Sequence, residues 1–508
     1  MDGTFSAPDH EIVIVGGGFS GIGASILLDR AGFSDQLVVE DGDGLGGAWH
    51  WNTYPGVGVD IPSFSYQFSF DQRADWSRIY APGRELKAYA EDCARRFGVT
   101  ARTRLNTRIV DAEFDETSDI WRLRTGDGDT ISARYVVGAT GVLTQPKRPD
   151  IDGLDDFAGD ILHTARWDHD LDLRGRRVAV IGTGASAVQA IPEIAQVAEH
   201  LTVFQRTPIW CMPKPDAAIP GVVRTALGRI PGARRLARTL SQAFVEVNFP
   251  LPAHFNGVVP IATAGEKLAR AYLRRTVTDP ITREKLTPRY AMGCKRPSFS
   301  NAYLPTFNRD DVTLETTGIA AVEPTGVRTA DGTLHECDVL VLATGFKVFE
   351  KGNMPPFGVR GVGGRDLDSW WSEHRLQAFH GVSVPGFPNF FTILGPYAYN
   401  GSSYFTLIET QSRHIARCLT RARSAGASRV EVTEQANADY LAEMLGRRDN
   451  QVFFQGGCGS ANSYYFDDHG DVPFRASTTL ETIWSSRRFD LDAYEFTRVS
   501  DRRTPAIG

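Results

Sequence analysis

The sequence predicts an α/β fold built from two parallel-sheet domains, the second inserted into the first. Three observations predict it. An apolar strand, a glycine-rich turn and a helix-like stretch follow one another from Glu11, and the same succession returns from Arg177. Two similar strand-to-loop segments, Tyr135–Gly141 and Val339–Phe346, each carry Ala-Thr-Gly and stand on either side of that second succession. The chain also has 508 residues, more than one core usually holds.

The first unit begins with Glu11–Val15, a short buried-strand pattern that runs into Gly16-Gly17-Gly18-Phe19-Ser20-Gly21 and a helix. Glycines there permit a tight turn and close backbone approach, and the helix start offers unpaired N–H groups to a pyrophosphate. A second strand from Gln36 ends at Glu40, whose carboxylate suits ribose hydroxyls. The second unit, Arg177–Ile181, leads into Gly182-Thr183-Gly184-Ala185-Ser186-Ala187, with Ala in the last glycine's place because only a small side chain is needed. Its next strand, Leu201–Gln205, ends at Arg206-Thr207. Glu40 and Arg206 occupy equivalent positions, each 24 residues after the first glycine of its turn (16 to 40, 182 to 206). An acid at that position repels a 2′-phosphate, whereas a guanidinium binds one through paired charge-assisted bonds. The first unit therefore suits FAD and the second suits NADPH. Both are dinucleotide-binding, Rossmann-like units. The expected layout is a first part of the FAD domain over 1–145 and an NADPH domain over 146–340. The FAD domain's second part, with a C-terminal tail, covers 341–508.

Composition narrows the class. A net charge of −6 gives no support to a nucleic-acid partner. The N-terminus, MDGTFSAPDH, lacks a secretory signal, and no apolar run is long enough for a spanning helix. Cys93, Cys211, Cys294, Cys337, Cys418 and Cys458 are scattered, so a disulfide scaffold, a metal site or a dithiol redox centre is not expected. A reducing, cytoplasmic compartment fits this usage.

Three further motifs identify a family. Phe157–Asp168 fills every specified position of F-x-G-x-x-x-H-x-x-x-W-[P/D], including Gly159, His163 and Trp167. Gly46–Asp60 matches G-G-x-W-x-x-x-x-Y-P-G-x-x-x-D, and Asp338–Phe346 is an Asp-led strand ending in A-T-G-F. Together they resemble the signatures of type I Baeyer–Villiger monooxygenases, flavin enzymes of the flavin-containing monooxygenase superfamily. The resemblance implies FAD and NADPH as cofactors, and O2 with a small ketone or sulfide as substrates. The implied product is an ester or lactone, formed by way of a flavin C4a-peroxide. An N- or S-oxygenating enzyme is the alternative within that mechanism, and a flavoprotein reductase lies further off.

Gly293-Cys294-Lys295-Arg296-Pro297, followed by Phe307-Asn308-Arg309-Asp310, resembles the family's catalytic stretch; by that match Arg296 is the catalytic cation, and Asp60 pairs with it beside the flavin. The resemblance also carries Gly47, Ser20, Trp49, Trp51 and Tyr66 to the flavin side. Gly182, Thr183, Gly184, Ser186, Ala187, Gln189, Arg206, Thr207 and Lys295 go to the NADPH side; Gly16, Gly18, Gly21 and Glu40 complete the FAD cradle. An arginine suits an anionic reaction centre because neutral pH cannot remove its charge. His163 is assigned to a structural linker, not to base chemistry. The loop Gly395–Ser403, with Tyr397 and Tyr399, is expected to wall the substrate pocket. A basic, apolar insertion at about 214–292 is expected to form helices that cover the substrate entrance; a face resting on a membrane is the second reading.

Overall fold

Among the described residues, the sheet that contains Glu11–Val15 is, with eight strands, the largest of five. The structure is a computed structural model that describes residues 7–258 and 261–499. Part of the N-terminal stretch read above, two residues of the helical insertion and the end of the tail lie outside the described residues. Strand β1 (His10–Val15) runs parallel to β2 (Gln36–Val39), which pairs with β3 (Thr103–Arg104). On its other side β1 is parallel to β6 (Thr130–Gly138). The antiparallel strands β4 (Ile109–Asp115) and β5 (Ile120–Thr125) extend the sheet beyond β6. Two late segments, Gly358–Arg360 and Phe390–Thr392, add to the same sheet alongside β4 and β6. Ile12, Val13 and Ile14 are fully buried because both faces of the sheet are covered, which is why this strand reads as an unbroken apolar run.

The second sheet holds β7 (Asp160–His163), β8 (Arg177–Ile181) and β9 (His200–Phe204), with Val312–Glu315 and Val339–Leu342. All five strands are parallel. Val339–Leu342 lies between β7 and β8, so the second sheet keeps the chain slightly past the expected boundary at 340.

The chain therefore leaves the first sheet after β6 and returns to it after residue 342. The two crossing segments pair with each other: Lys147 N donates to the Gly345 carbonyl at 2.8 Å, and Lys347 N to the Gln145 carbonyl at 3.1 Å. His163 stands at this crossing. Its Nδ1 accepts from Ala165 N at 3.0 Å, and its Nε2 meets the Thr344 hydroxyl at 3.3 Å. Burial lowers its pKa, which favours the neutral ring these contacts use. Gly159 is needed because a Cβ there would lie 2.4 Å from the Asp338 carbonyl.

Helix α1 (Phe19–Arg30) is buried along nearly all of its length, between the sheet and the helix Tyr404–Ala425. The short α2 (Ala48–Trp51) follows β2, and α3 (Gly83–Arg96) buries Leu86, Tyr89, Ala90 and Cys93 at helical spacing. Helix α4 (Ala185–Ile194) opens from the turn after β8. The insertion, expected to be helical, includes α5 (Gly221–Arg229), α6 (Ala233–Asn248), α7 (Pro250–His254) and α8 (Ile261–Thr276). No helix among the described residues is long and apolar enough to cross a membrane.

Candidate active site

Two glycine turns present equivalent helix starts. Gly16 and Gly182 both have φ +116°, a region that side chains rarely enter. At Gly21 a Cβ would fall 1.8 Å from the Gly16 carbonyl oxygen, so no other residue fits. Neither Gly18 nor Gly184, the N-caps of α1 and α4, supplies a side-chain cap, which leaves first-turn N–H groups for an anion. Ser20 is buried in the first turn of α1. Glu40 is buried behind the first turn and accepts from Gly17 N at 2.6 Å and Gly42 N at 2.9 Å. Those two bonds fix its carboxylate behind the first turn. Gly47 packs against Gly18, since a Cβ on it would lie 2.8 Å from Gly18 Cα.

The second turn faces a cluster of cations. Arg206, just past β9, is exposed, and its charge acts on Lys295. Burial first, then Arg206, lowers the Lys295 pKa to about 8. Two neighbouring cations repel and so gain from a shared phosphate. Thr207 is held from both sides: its carbonyl accepts from Thr183 Oγ1 at 2.9 Å, and its hydroxyl from Asn462 Nδ2 at 2.9 Å. Asn462, in the tail, is a participant that local pattern could not reveal. Ala187 is buried in α4, and Ser186 lies beside the Tyr54 hydroxyl. Gln189 bridges the two sheets' loops, accepting from Tyr54 Oη and donating to the Gly58 carbonyl, both at 2.9 Å.

Arg296, next in the chain to Lys295, pairs with Asp60. Its Nε donates to Asp60 Oδ2 at 2.5 Å, its Nη2 to Asp60 Oδ1 at 3.0 Å and its Nη1 to Tyr399 Oη at 2.9 Å. The guanidinium also lies over the Phe249 ring, 4.5 Å from its centroid. Burial disfavours the charge of each partner, yet their mutual attraction outweighs it. The Arg296 pKa is raised well above its usual value and that of Asp60 is lowered, so both stay charged. Lys214 adds a further positive charge near Asp60, with Nζ 3.4 Å from the Val59 carbonyl.

Arg296 and Tyr399 line a cavity of about 280 Å³ whose other walls include Phe249, Leu268, Met292, Phe299 and Phe474. Helices α6 to α8 form one side of it, so the insertion does cover this space. Of the two loop tyrosines expected in the wall, Tyr399 is there and Tyr397 is not. Tyr397 is buried in the core, where its carbonyl accepts from Tyr440 Oη at 2.8 Å. Trp49 donates to Tyr66 Oη at 3.1 Å, and Trp51 is stacked under Arg166 at 4.0 Å. Trp49 and Tyr66 cluster with Phe19 of α1 near Asp60, whereas Trp51 lies apart from them beside His50 and Arg166.

One expectation from the cysteines is overturned. Cys294 and Cys458 form a disulfide across a sequence separation of 164, although no spacing marks them as a pair. Folding brings the tail against the Lys295-Arg296 turn; Ala291 N donates to the Gly457 carbonyl at 3.1 Å. Cys93, Cys211, Cys337 and Cys418 are free and buried.

Known proteins place this arrangement. A family model described as pyridine nucleotide-disulphide oxidoreductase matches residues 13–232. The two cysteines in that stretch, Cys93 and Cys211, are free, so the match carries the nucleotide folds without a dithiol. A Baeyer–Villiger monooxygenase of Streptomyces coelicolor is 36% identical over 506 residues, covering 98% of this chain and 95% of its own. Another, from Pseudomonas aeruginosa, is 34% identical, covering 96% of this chain and 91% of its own. Among solved structures, an oxidised steroid monooxygenase bound to NADP superimposes with a TM-score of 0.85 at 30% identity, covering 97% of this chain and 100% of its own. The closed form of cyclohexanone monooxygenase gives 0.85 at 28% identity, covering 96% and 99%. With two equivalent glycine turns that each open a helix and relatives matched over almost its whole length, this chain belongs to the Baeyer–Villiger monooxygenases.

Proposed function

We propose that this chain oxidises an apolar ketone to an ester or lactone, consuming NADPH and O2, and that it oxygenates sulfides in the same cavity. The balance is ketone, O2, NADPH and a proton giving ester, water and NADP+. The observation that carries the reading is a permanently charged arginine set, with the Tyr399 hydroxyl, into the wall of a mostly apolar cavity. The residues fit both cofactors. The uncapped start of α1 with Glu40 suits FAD, and the start of α4 with Arg206, Thr207 and Lys295 suits the 2′-phosphate of NADPH.

Bound FAD, reduced by NADPH, supplies the oxygen atom taken from O2. The chain's own part is electrostatic. Asp60 holds the Arg296 fork by two bonds, which fixes where the positive charge is presented. Phe249 covers one guanidinium face and limits water there. A carbonyl oxygen that gains negative charge as its carbon is attacked is stabilised by this fixed cation. Tyr399 accepts one Arg296 N–H and keeps its own hydroxyl proton for an acceptor in the cavity. Gln189, bonded to Tyr54 and Gly58, links the NADPH-side helix to the loop that ends in Asp60.

The test is a panel of linear, cyclic and aryl ketones with sulfides and amines, scored by product mass. Ester or lactone from at least one ketone class is expected. Oxygenated sulfides or amines with no ketone product would overturn the assignment.

A further inference from the structure

Helix α6 carries an apolar stripe that faces solvent. Leu236, Leu240, Ala243 and Val247 recur at helical spacing, and Leu236, Leu240 and Val247 are 61%, 63% and 49% exposed. The buried side of the same helix is mixed: Val245 packs inward beside Ser241 and Arg238. Helix α5, which packs on α6, adds Val222 at 76%, and Ile230 just beyond its end is 58% exposed. Apolar side chains held outward on two packed helices mark a surface that is covered in use.

The charges around the patch name what covers it. Residues 221–248 contain Arg224, Arg229, Arg234, Arg235 and Arg238 against one acid, Glu246, in a chain whose net charge is −6. Glu246 is engaged with Thr479, and Arg238 points inward to the Gln67 carbonyl. Arg229 and Arg235 are exposed and have no acidic partner among the described residues. A second copy meeting this face symmetrically would set arginine against arginine. An anionic lipid surface instead accepts the leucines among its acyl chains and the guanidinium groups among its headgroups.

The stripe also leads somewhere. Val247, its last member, and Leu268 on α8 are both about half exposed and both line the cavity beside Arg296. We propose that the α5–α6 face docks on anionic lipid membranes, with the cavity mouth turned toward the acyl region. A ketone dissolved in the bilayer then reaches the cavity without crossing bulk water. That corollary rests on the oxygenation reading; the docking itself does not.

Vesicle flotation of the FAD-loaded full chain tests the docking by a readout separate from turnover. Vesicles of phosphatidylcholine mixed with phosphatidylglycerol should carry the protein upward, phosphatidylcholine alone should carry much less, and added salt should release it. The double variant Leu236→Glu/Leu240→Glu should lose binding by about tenfold or more, since two exposed leucines supply much of the apolar contact. Arg229→Glu/Arg235→Glu should weaken binding to the anionic vesicles specifically. Because all four positions are exposed, FAD absorbance and circular dichroism should report intact folds. Wild-type protein that stays in the soluble fraction with both vesicle types overturns the proposal. So does a vesicle-inert dimer that the leucine variant dissociates in analytical ultracentrifugation, which would assign the face to a second copy.

Discussion

Replacing Asp60 by alanine should cost most of the oxygenation while leaving FAD bound. The carboxylate accepts two Arg296 N–H bonds, at 2.5 and 3.0 Å, and its removal leaves the guanidinium with Tyr399 and the Phe249 face. A hydrogen bond to a charged group nets about 1.5–3 kcal/mol, so two set a ceiling of about 3–6 kcal/mol. The pair is partly open, with side chains 18% and 30% exposed, and solvent screening lowers the figure to about 2–4 kcal/mol. At about 1.4 kcal/mol per factor of ten, kcat/KM for ester formation should fall about thirty- to a thousandfold. Asp60→Asn keeps one acceptor without the charge and should fall between wild type and Asp60→Ala. The assay is initial rate by product mass, with FAD content read from absorbance. The pH dependence follows with its sign. The depressed Asp60 pKa means its contribution is present above the ordinary carboxylate value, about 4, and is lost only as pH falls through the lower folded value. No Asp60 step should therefore appear between pH 5 and 9. Ester formation by Asp60→Ala within threefold of wild type would refute the reasoning.

The remaining predictions concern the second cradle and the cross-link. Arg206→Ala should raise the KM for NADPH and narrow the preference over NADH by about ten- to a hundredfold, the worth of one charge-assisted phosphate contact; an unchanged NADPH/NADH ratio would remove Arg206 from phosphate reading. Lys295, with a pKa of about 8, loses its charge as pH rises through that value, so NADPH affinity should weaken by up to about tenfold from pH 7 to pH 9. Titration calorimetry with Lys295→Met should show that limb flattened, and a limb of equal steepness would contradict the assignment. Cys458→Ser removes a cross-link spanning 164 residues and should cost about 2–4 kcal/mol of stability, seen as a lower melting temperature without reductant. A melting curve identical to that of wild type would count against the bond's contribution.

What could be read in advance was local. Each glycine cradle lies within a few residues of its strand and helix, and steric need at Gly16, Gly21 and Gly182 writes itself into the sequence. The charge difference between Glu40 and Arg206 was legible because both sit at one offset from their turns. The Arg296–Asp60 pair, 236 residues apart, came only through the family resemblance. Long-range meetings without a local signature stayed hidden. The Cys294–Cys458 bond, the Asn462 contact to Thr207 and the Tyr399 bond to Arg296 all depend on how the tail and one loop fold back. The outward stripe of α6 entered only within the second reading of the insertion, as a face resting on a membrane, for another reason. Periodicity reveals that a helix has two faces, but not which of them the core accepts.

The most direct measurement compares wild type with Arg296→Ala, each loaded with FAD and supplied with NADPH, an apolar ketone and oxygen-18 gas. The account predicts ester carrying one labelled oxygen from wild type. The variant should retain FAD and let NADPH reduce it, yet yield no ester. Labelled ester from Arg296→Ala in wild-type yield would contradict it.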